Sequence, residues 1–336
     1  MLAAAGSRKT QHIVDCVLSD ASQRVLVTTY TTENMNQLVH RLSGDTGLLP
    51  AHVTVMTWFT FLLNQCARPY QSAVLGDVGV MRGLNFVAKR GRFIPKTNVK
   101  KYYLDPHGDM FRDAVAAFAC EADQRSGGKV VNRLTEIYDH IYIDEIQDLA
   151  GYDLDLLDLL LKSSSAVTVV GDPRQATFAT NNAAKYKKYK GSGIADWLDE
   201  RKDVCVVESR LESYRCNQAI CDFADGLFPE LPQTVSKNTE ITGHDGVSTI
   251  TPAEVPAYVE KYEPIVLRWD KRAKTQGLEA MNFGQSKGST FDRVLIFPTQ
   301  PMVKYYRSLD PEQAGDRFKL YVAVTRARYS VTFVIP

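Results

Sequence analysis

Two short apolar runs, each broken off by polar groups, constrain this chain more than any other feature. The first is Tyr142-Ile143-Asp144-Glu145-Ile146-Gln147-Asp148, and the second is Val169-Val170-Gly171-Asp172-Pro173-Arg174-Gln175. Apolar runs of this length read as strands buried on both faces, the kind found in a parallel sheet covered by helices. In such a sheet ligands sit beyond the carboxyl ends of the strands, so these polar groups line a site. Asp144 and Glu145 supply what a hydrated Mg²⁺ and an attacking water require, hard oxygen ligands and a proton acceptor. Gln175 at the next strand end can orient that water or sense a terminal phosphate. The pattern predicts nucleotide hydrolysis.

The flanking sequence predicts an α/β fold with parallel sheets. A helix is expected over residues 10–19, a strand over 25–29 and a helix over 33–42. A short strand over 53–55 leads into an apolar helix over 57–64. Strands return at 138–144 and 166–170, with an amphipathic helix over 152–161 between them. From about 70 to 133 the pattern loosens, and pieces such as Lys89-Arg90-Gly91-Arg92 and Lys100-Lys101-Tyr102-Tyr103 predict an insertion or small subdomain. The basic, polar tract Lys185-Tyr186-Lys187-Lys188-Tyr189-Lys190-Gly191-Ser192-Gly193 reads as a hinge. It sets a first domain at residues 1–190 and a second at 191–336. Strands expected in the second are 204–207, 247–250, 265–268, 293–297 and 331–335.

Bulk properties narrow the function classes. At 336 residues there is room for two domains, and 44% hydrophobic residues supply a sizeable core. A net charge of +1 rules out a uniformly basic face, so any nucleic-acid surface must be a local groove. The six cysteines form no Cys-x-x-Cys pair, which favours reduced thiols over zinc or disulfides. No apolar run approaches membrane-spanning length, and a cytoplasmic protein is expected.

Gly6-Ser7-Arg8-Lys9-Thr10 opens the first helix. Its backbone N–H groups can cradle phosphate, Lys9 can reach the β/γ oxygens and the Thr10 hydroxyl can ligate Mg²⁺. Arg8 stands where the full phosphate-loop pattern has glycine. Arg215 and Arg326 sit beside apolar elements in the second half; each is either an arginine that stabilises charge on a transferring phosphoryl or a plain ion-pair partner. Gln285-Ser286-Lys287-Gly288-Ser289-Thr290 suits contact with a phosphate backbone, or is simply a polar loop. Trp58, Phe59 and Phe61 can offer stacking platforms for bases, Trp58 first among them, although aromatics at helical spacing are more often core.

In their order, these motifs resemble the UvrD/Rep-type DNA helicases of superfamily 1. The resemblance takes in residues 5–10, 27–34, 55–61, 143–148, 171–175, 214–215, 285–291 and 321–328. It implies two RecA-like domains, ATP with Mg²⁺ as cofactors and single-stranded or tailed DNA as partner. Lys9 would bind the β/γ-phosphate within the loop of Gly6, Ser7, Arg8 and Thr10, while Thr10 and Asp144 would hold Mg²⁺. Glu145 would be the general base and Gln175 would couple the γ-phosphate to DNA. Arg215 and Arg326 would contact the γ-phosphate, and Thr29, Thr57, Trp58, Ser286 and Lys287 would face the DNA. Movement would run 3′ to 5′. Thr290 replaces the family's usual glutamate, and only a short segment separates Arg215 from Gln285, so the large accessory subdomain is absent. The expected activity is that of an ATP-dependent helicase or translocase. Two alternatives stand beside it: a nucleic-acid-responsive ATPase partnering a nuclease, as in anti-phage systems, and a non-hydrolysing scaffold.

Overall fold

A computed structural model describes residues 1–91, 93–181 and 183–336. Arg92, the end of one basic piece, lies outside the described residues. Contacts gather the chain into two compact units. One holds Met1, 10–171 and 178–207, and the other holds 2–9, 172–177 and 208–336.

The first unit is built on four parallel strands: β1 (Val25–Thr29), β2 (Val53–Thr57), β3 (His140–Ile143) and β4 (Ala166–Val169). Their spatial order is β2-β1-β3-β4. All five residues of β1 are buried, as its unbroken Val-Leu-Val-Thr-Thr run demands of an inner strand. Helix α1 (Lys9–Ser19) turns Ile13, Val14 and Val17 inward. Helix α2 (Thr32–Ser43) is capped by Thr31, whose side chain accepts from the Asn34 N–H. The expected helix over 57–64 is instead a short α-helix, Trp58–Phe61, passing into a π-helical stretch, Leu62–Ala67.

The insertion is better ordered than its sequence suggests. Leu84–Asn85 pairs with Met110–Phe111, and helices α3 (Val115–Arg125) and α4 (Lys129–Ile137) follow. Buried Glu121 on α3 is satisfied by the Tyr103 hydroxyl at 2.7 Å and by ion pairs with Lys96 and Arg125. Helix α5 (Tyr152–Leu161) then leads into β4. The lysine–tyrosine tract lies along α5: Lys185 pairs with Asp155 at 2.6 Å and the Tyr186 hydroxyl donates to the same carboxylate at 2.9 Å. The division of contacts falls later, after Val207.

The main sheet of the second unit has five parallel strands, β5 (Gly246–Ile250), β6 (Ile265–Arg268), β7 (Met281–Asn282), β8 (Phe291–Phe297) and β9 (Ala327–Val334). Their order is β5-β9-β8-β6-β7. One face packs Leu267, Val294, Ile296, Val331 and Phe333 against helices α6 (Gln218–Asp225), α8 (Gln300–Ser308) and α9 (Arg317–Val324). The other face buries Val266, Leu295 and Phe297 under helix α7 (Val255–Tyr262). The strand expected at 204–207 does not form. Both Val204 and Cys205 return their N–H groups to the Arg201 carbonyl, at 3.0 and 2.9 Å, and Val206 is 87% exposed. Among the described residues that run has no sheet neighbour to bury it; pairing begins at Ser209–Arg210, beside Leu2–Ala3. Among the described residues no helix is long and apolar enough to cross a membrane.

Candidate nucleotide site

In the first unit the candidate residues gather where β3 ends. The Asp144 N–H still donates to the Thr28 carbonyl of β1 at 2.8 Å, which fixes its side chain at the strand exit. Thr10 in the first turn of α1 donates its hydroxyl to Asp144 Oδ2 at 3.4 Å. A hydroxyl beside a carboxylate is a hard-oxygen donor set that fits Mg²⁺. Among the described residues no group of three or more His, Cys, Asp or Glu side chains forms a metal set. Such an ion would therefore keep water and phosphate oxygens as its remaining ligands, as Mg²⁺ prefers.

Glu145 follows with φ +62°, a left-handed conformation that costs a residue bearing a Cβ about 1–2 kcal/mol. Its N–H donates to Asp144 Oδ1 at 2.9 Å, and Gln147 donates its amide to the Glu145 carboxylate. The Ile146 N–H reaches the Val170 carbonyl at 3.1 Å, which joins this turn to the exit of β4. There Gly171 has no room for a side chain. A Cβ would strike the Gln147 amide oxygen and lie 2.7 Å from Ile146 Cγ2.

In the second unit, Gly6 of the phosphate loop has φ +75°, and a Cβ there would lie 2.7 Å from both Arg215 Cβ and Ser213 Oγ. Only glycine fits. The pattern Gly-x-x-x-x-Gly-Lys-Ser/Thr has Ala3 and Arg8 at its two glycine positions. Arg8 nevertheless adopts φ +61°, and its guanidinium lies 4.0 Å over the Tyr214 ring, a cation–π contact that offsets part of the strain. Lys9 turns its ammonium back on the loop, donating to the Ala4 carbonyl at 3.1 Å and the Ala3 carbonyl at 3.5 Å.

The same unit carries a buried hydrogen-bonded chain. The Ala5 N–H donates to the Tyr321 hydroxyl at 3.3 Å, and that hydroxyl donates to Asp172 Oδ2 at 3.3 Å. Gln175 Nε2 donates to the same Asp172 oxygen at 2.8 Å, and Arg326 Nη2 donates to Gln175 Oε1 at 3.2 Å. Arg326 is 2% exposed, and its Nε donates to the Val322 carbonyl at 3.0 Å. Arg215 Nη1 donates to the Thr325 carbonyl at 3.0 Å, and burial lowers the pKa of its guanidinium. Arg174 lies 3.6 Å from Asp225 and 3.8 Å from Asp172. Burial works against its charge, but Tyr321, Asp172 and Asp225 outweigh it and hold the pKa above the ordinary arginine value. The glutamine and one of the two arginines are thus in direct contact.

The sequence model of the viral superfamily 1 RNA helicase core domain matches residues 117–335. The chain belongs to this family. The matched stretch includes Asp144, Glu145, Gln175, Arg215 and Arg326, while the loop at 6–10 precedes it. The superfamily indicated by the motif order is the one found; the matching family is its viral RNA helicase core, not the UvrD/Rep type. No curated protein matches. Two solved structures of Arterivirus nonstructural protein 10, a helicase, align with the whole chain. One of them is a complex with DNA. They are 16% and 15% identical to it, each with a TM-score of 0.49. The chain spans 59% and 60% of their lengths.

The residues expected to face nucleic acid in this helicase core fare unevenly. Trp58 is 1% exposed, with its Nε1 donating to Asp153 at 2.8 Å, so it is a core residue and not a stacking platform. Thr29 is buried inside β1, and Thr57 caps the short helix after β2 by accepting from the Thr60 N–H. Ser286 is buried with its hydroxyl donated to the Phe283 carbonyl at 2.8 Å, whereas Lys287 is half-buried. Of the aromatic row that does reach the surface, the sequence points only to Phe59. Tyr30 stacks on Phe178 at 5.6 Å and tilts against Phe59 at 6.0 Å, and Phe59 meets Phe86 edge-on at 5.2 Å. Phe86 and Phe178 are exposed. Sequence reasoning also missed roles for Tyr321 and Arg174; the available signal was a tyrosine opening the Tyr-Val-Ala-Val run just ahead of Thr325-Arg326.

Proposed function

We propose that this helicase core hydrolyses ATP and uses the cycle to move along single-stranded nucleic acid. The observation that carries the reading is the Gln175–Arg326 hydrogen bond at 3.2 Å, which pairs a γ-phosphate-sensing amide with a charge-stabilising guanidinium. Lys9 and the loop of Gly6, Ser7, Arg8 and Thr10 bind the phosphates. Thr10 and Asp144 hold Mg²⁺, which when bound neutralises phosphate charge. Glu145 takes the proton of the attacking water, Gln175 orients that water, and Arg215 and Arg326 stabilise the transferring phosphoryl.

In this reading the chain comprises two RecA-like domains, residues 1–190 and 191–336, acting in the cytoplasm. The exposed aromatics Phe86 and Phe178 take the base-stacking role expected of Trp58, and Lys287 contacts the phosphate backbone. RNA is the strand that the matching family's description favours; DNA and 3′-to-5′ movement are what the motif order favours. Stimulation of hydrolysis by oligo(U) against oligo(dT), with displacement from 3′- and 5′-tailed duplexes, separates them.

The test of the chemistry is Glu145→Gln. ATP and oligonucleotide binding should persist while turnover falls by about 10²–10⁴-fold, the usual contribution of a general base. Equal hydrolysis by variant and wild type removes Glu145 from the role. A wild type that hydrolyses no ATP with oligonucleotide and Mg²⁺ leaves the scaffold reading in place.

A further inference from the structure

We infer that the Tyr321 hydroxyl is a positioning group for hydrolysis, tying the backbone of the phosphate loop to the amide of Gln175. The inference rests on the ATPase reading above. The ring of Tyr321 packs edge-on against Phe228 at 5.7 Å in the core below β8 and β9, a task that phenylalanine performs equally well. A buried hydroxyl is worth retaining only where it finds partners, because an unmet one costs about 1–3 kcal/mol. Here it has partners on different functional segments. It accepts from the Ala5 N–H at 3.3 Å and donates to Asp172 Oδ2 at 3.3 Å.

Asp172 in turn holds the nitrogen end of the Gln175 amide at 2.8 Å, which leaves the oxygen end facing Arg326 at 3.2 Å. An amide gripped at both ends has one orientation, and it is the orientation of this amide that decides whether it can direct a water. The Tyr321 hydroxyl is the member of the chain that extends this control to the phosphate loop. Burial raises its pKa well above the ordinary tyrosine value, so the proton it donates to Asp172 is present at any working pH. Deleting the oxygen strips the Ala5 N–H of this acceptor and Asp172 of this donor, so the amide is held less firmly.

The experiment compares wild type with Tyr321→Phe, Gln175→Ala and the double variant, using ATP, Mg²⁺ and saturating oligo(U). Tyr321→Phe should lower kcat by about tenfold, the effect of one hydrogen bond, with KM for ATP within about twofold. In the Gln175→Ala background the same change should have no further effect, because the hydroxyl acts through that amide. Asp172→Asn, which keeps the side-chain shape but loses the charge that draws both donors, should give a comparable loss and serves if the phenylalanine variant does not fold. Wild-type kcat in Tyr321→Phe or Asp172→Asn, or losses that multiply in the double variant, overturns the inference while leaving the ATPase reading intact. A wild type without turnover sinks both, and shows as inactivity rather than as equality between active enzymes.

Discussion

At the scale of single residues, the phosphate loop is held by contacts that leave little freedom to substitute. Gly6 combines φ +75° with a 2.7 Å approach to Arg215 Cβ, so Gly6→Ala meets both backbone strain and a clash. Urea unfolding should show a loss of about 1–3 kcal/mol, and ATP turnover should fall with it. A variant as stable as wild type would mean that the 213–215 segment can withdraw at no cost. The acids of the β3 exit, Gln175 and the arginines stood out as candidates because each sits beside an apolar run that marks its strand or helix. Tyr321 was not, since a buried tyrosine in an apolar helix is indistinguishable from core until its hydroxyl is seen bonded to Ala5 and Asp172. Arg8 was readable as a departure from the glycine pattern, but its rest on the Tyr214 ring depends on a segment two hundred residues away in sequence.

At the scale of elements, the inner strands were the easiest to read. β1 and β6 fall where their unbroken apolar runs place them, whereas the two-residue pairings such as Leu2–Ala3 with Ser209–Arg210 carry no periodic signal of their own. The run at 204–207 misled for the converse reason: its valines look like a strand, but among the described residues no strand pairs with them. The helix after β2 was foreseen, but not its anchor. Trp58 donates to Asp153 on α5, which Asn181 also contacts at 2.8 Å and Thr180 bonds by its hydroxyl.

Burial pushes Asp153 up to about 6, against the donors that favour its charged form. The folded state therefore favours the protonated form. That contribution is complete below the unfolded value of 3.8 and is lost as pH rises through about 6. From pH 7 to pH 5 this group should add about 1 kcal/mol of stability. Asp153→Asn, permanently neutral, should lack that part of the pH dependence in urea titrations at the two pH values. An unchanged pH profile would show that Asp153 stays ionised throughout.

At the scale of the whole molecule, a net charge of +1 limits how the chain can hold a polyanion. With few phosphate contacts, oligo(U) affinity should fall with salt along a log–log slope no steeper than about −4, since each neutralised phosphate on a single strand contributes roughly −0.7. Fluorescence anisotropy across a salt series measures it. A much steeper slope would reveal a basic surface that the overall composition conceals, and no salt dependence would argue against phosphate contact altogether. All six cysteines are free thiols, so no disulfide has to form before this fold is reached. Stability should therefore be the same with and without reductant.

The fit of Gly171 against Gln147 and Ile146 has a mechanical consequence. With no slack between them, the backbone leaving β4 and the turn bearing Glu145 mesh like gear teeth. Adding one methyl at that glycine would jam the gear, and the first thing displaced would be the Gln147 amide that holds the Glu145 carboxylate, the group proposed as general base.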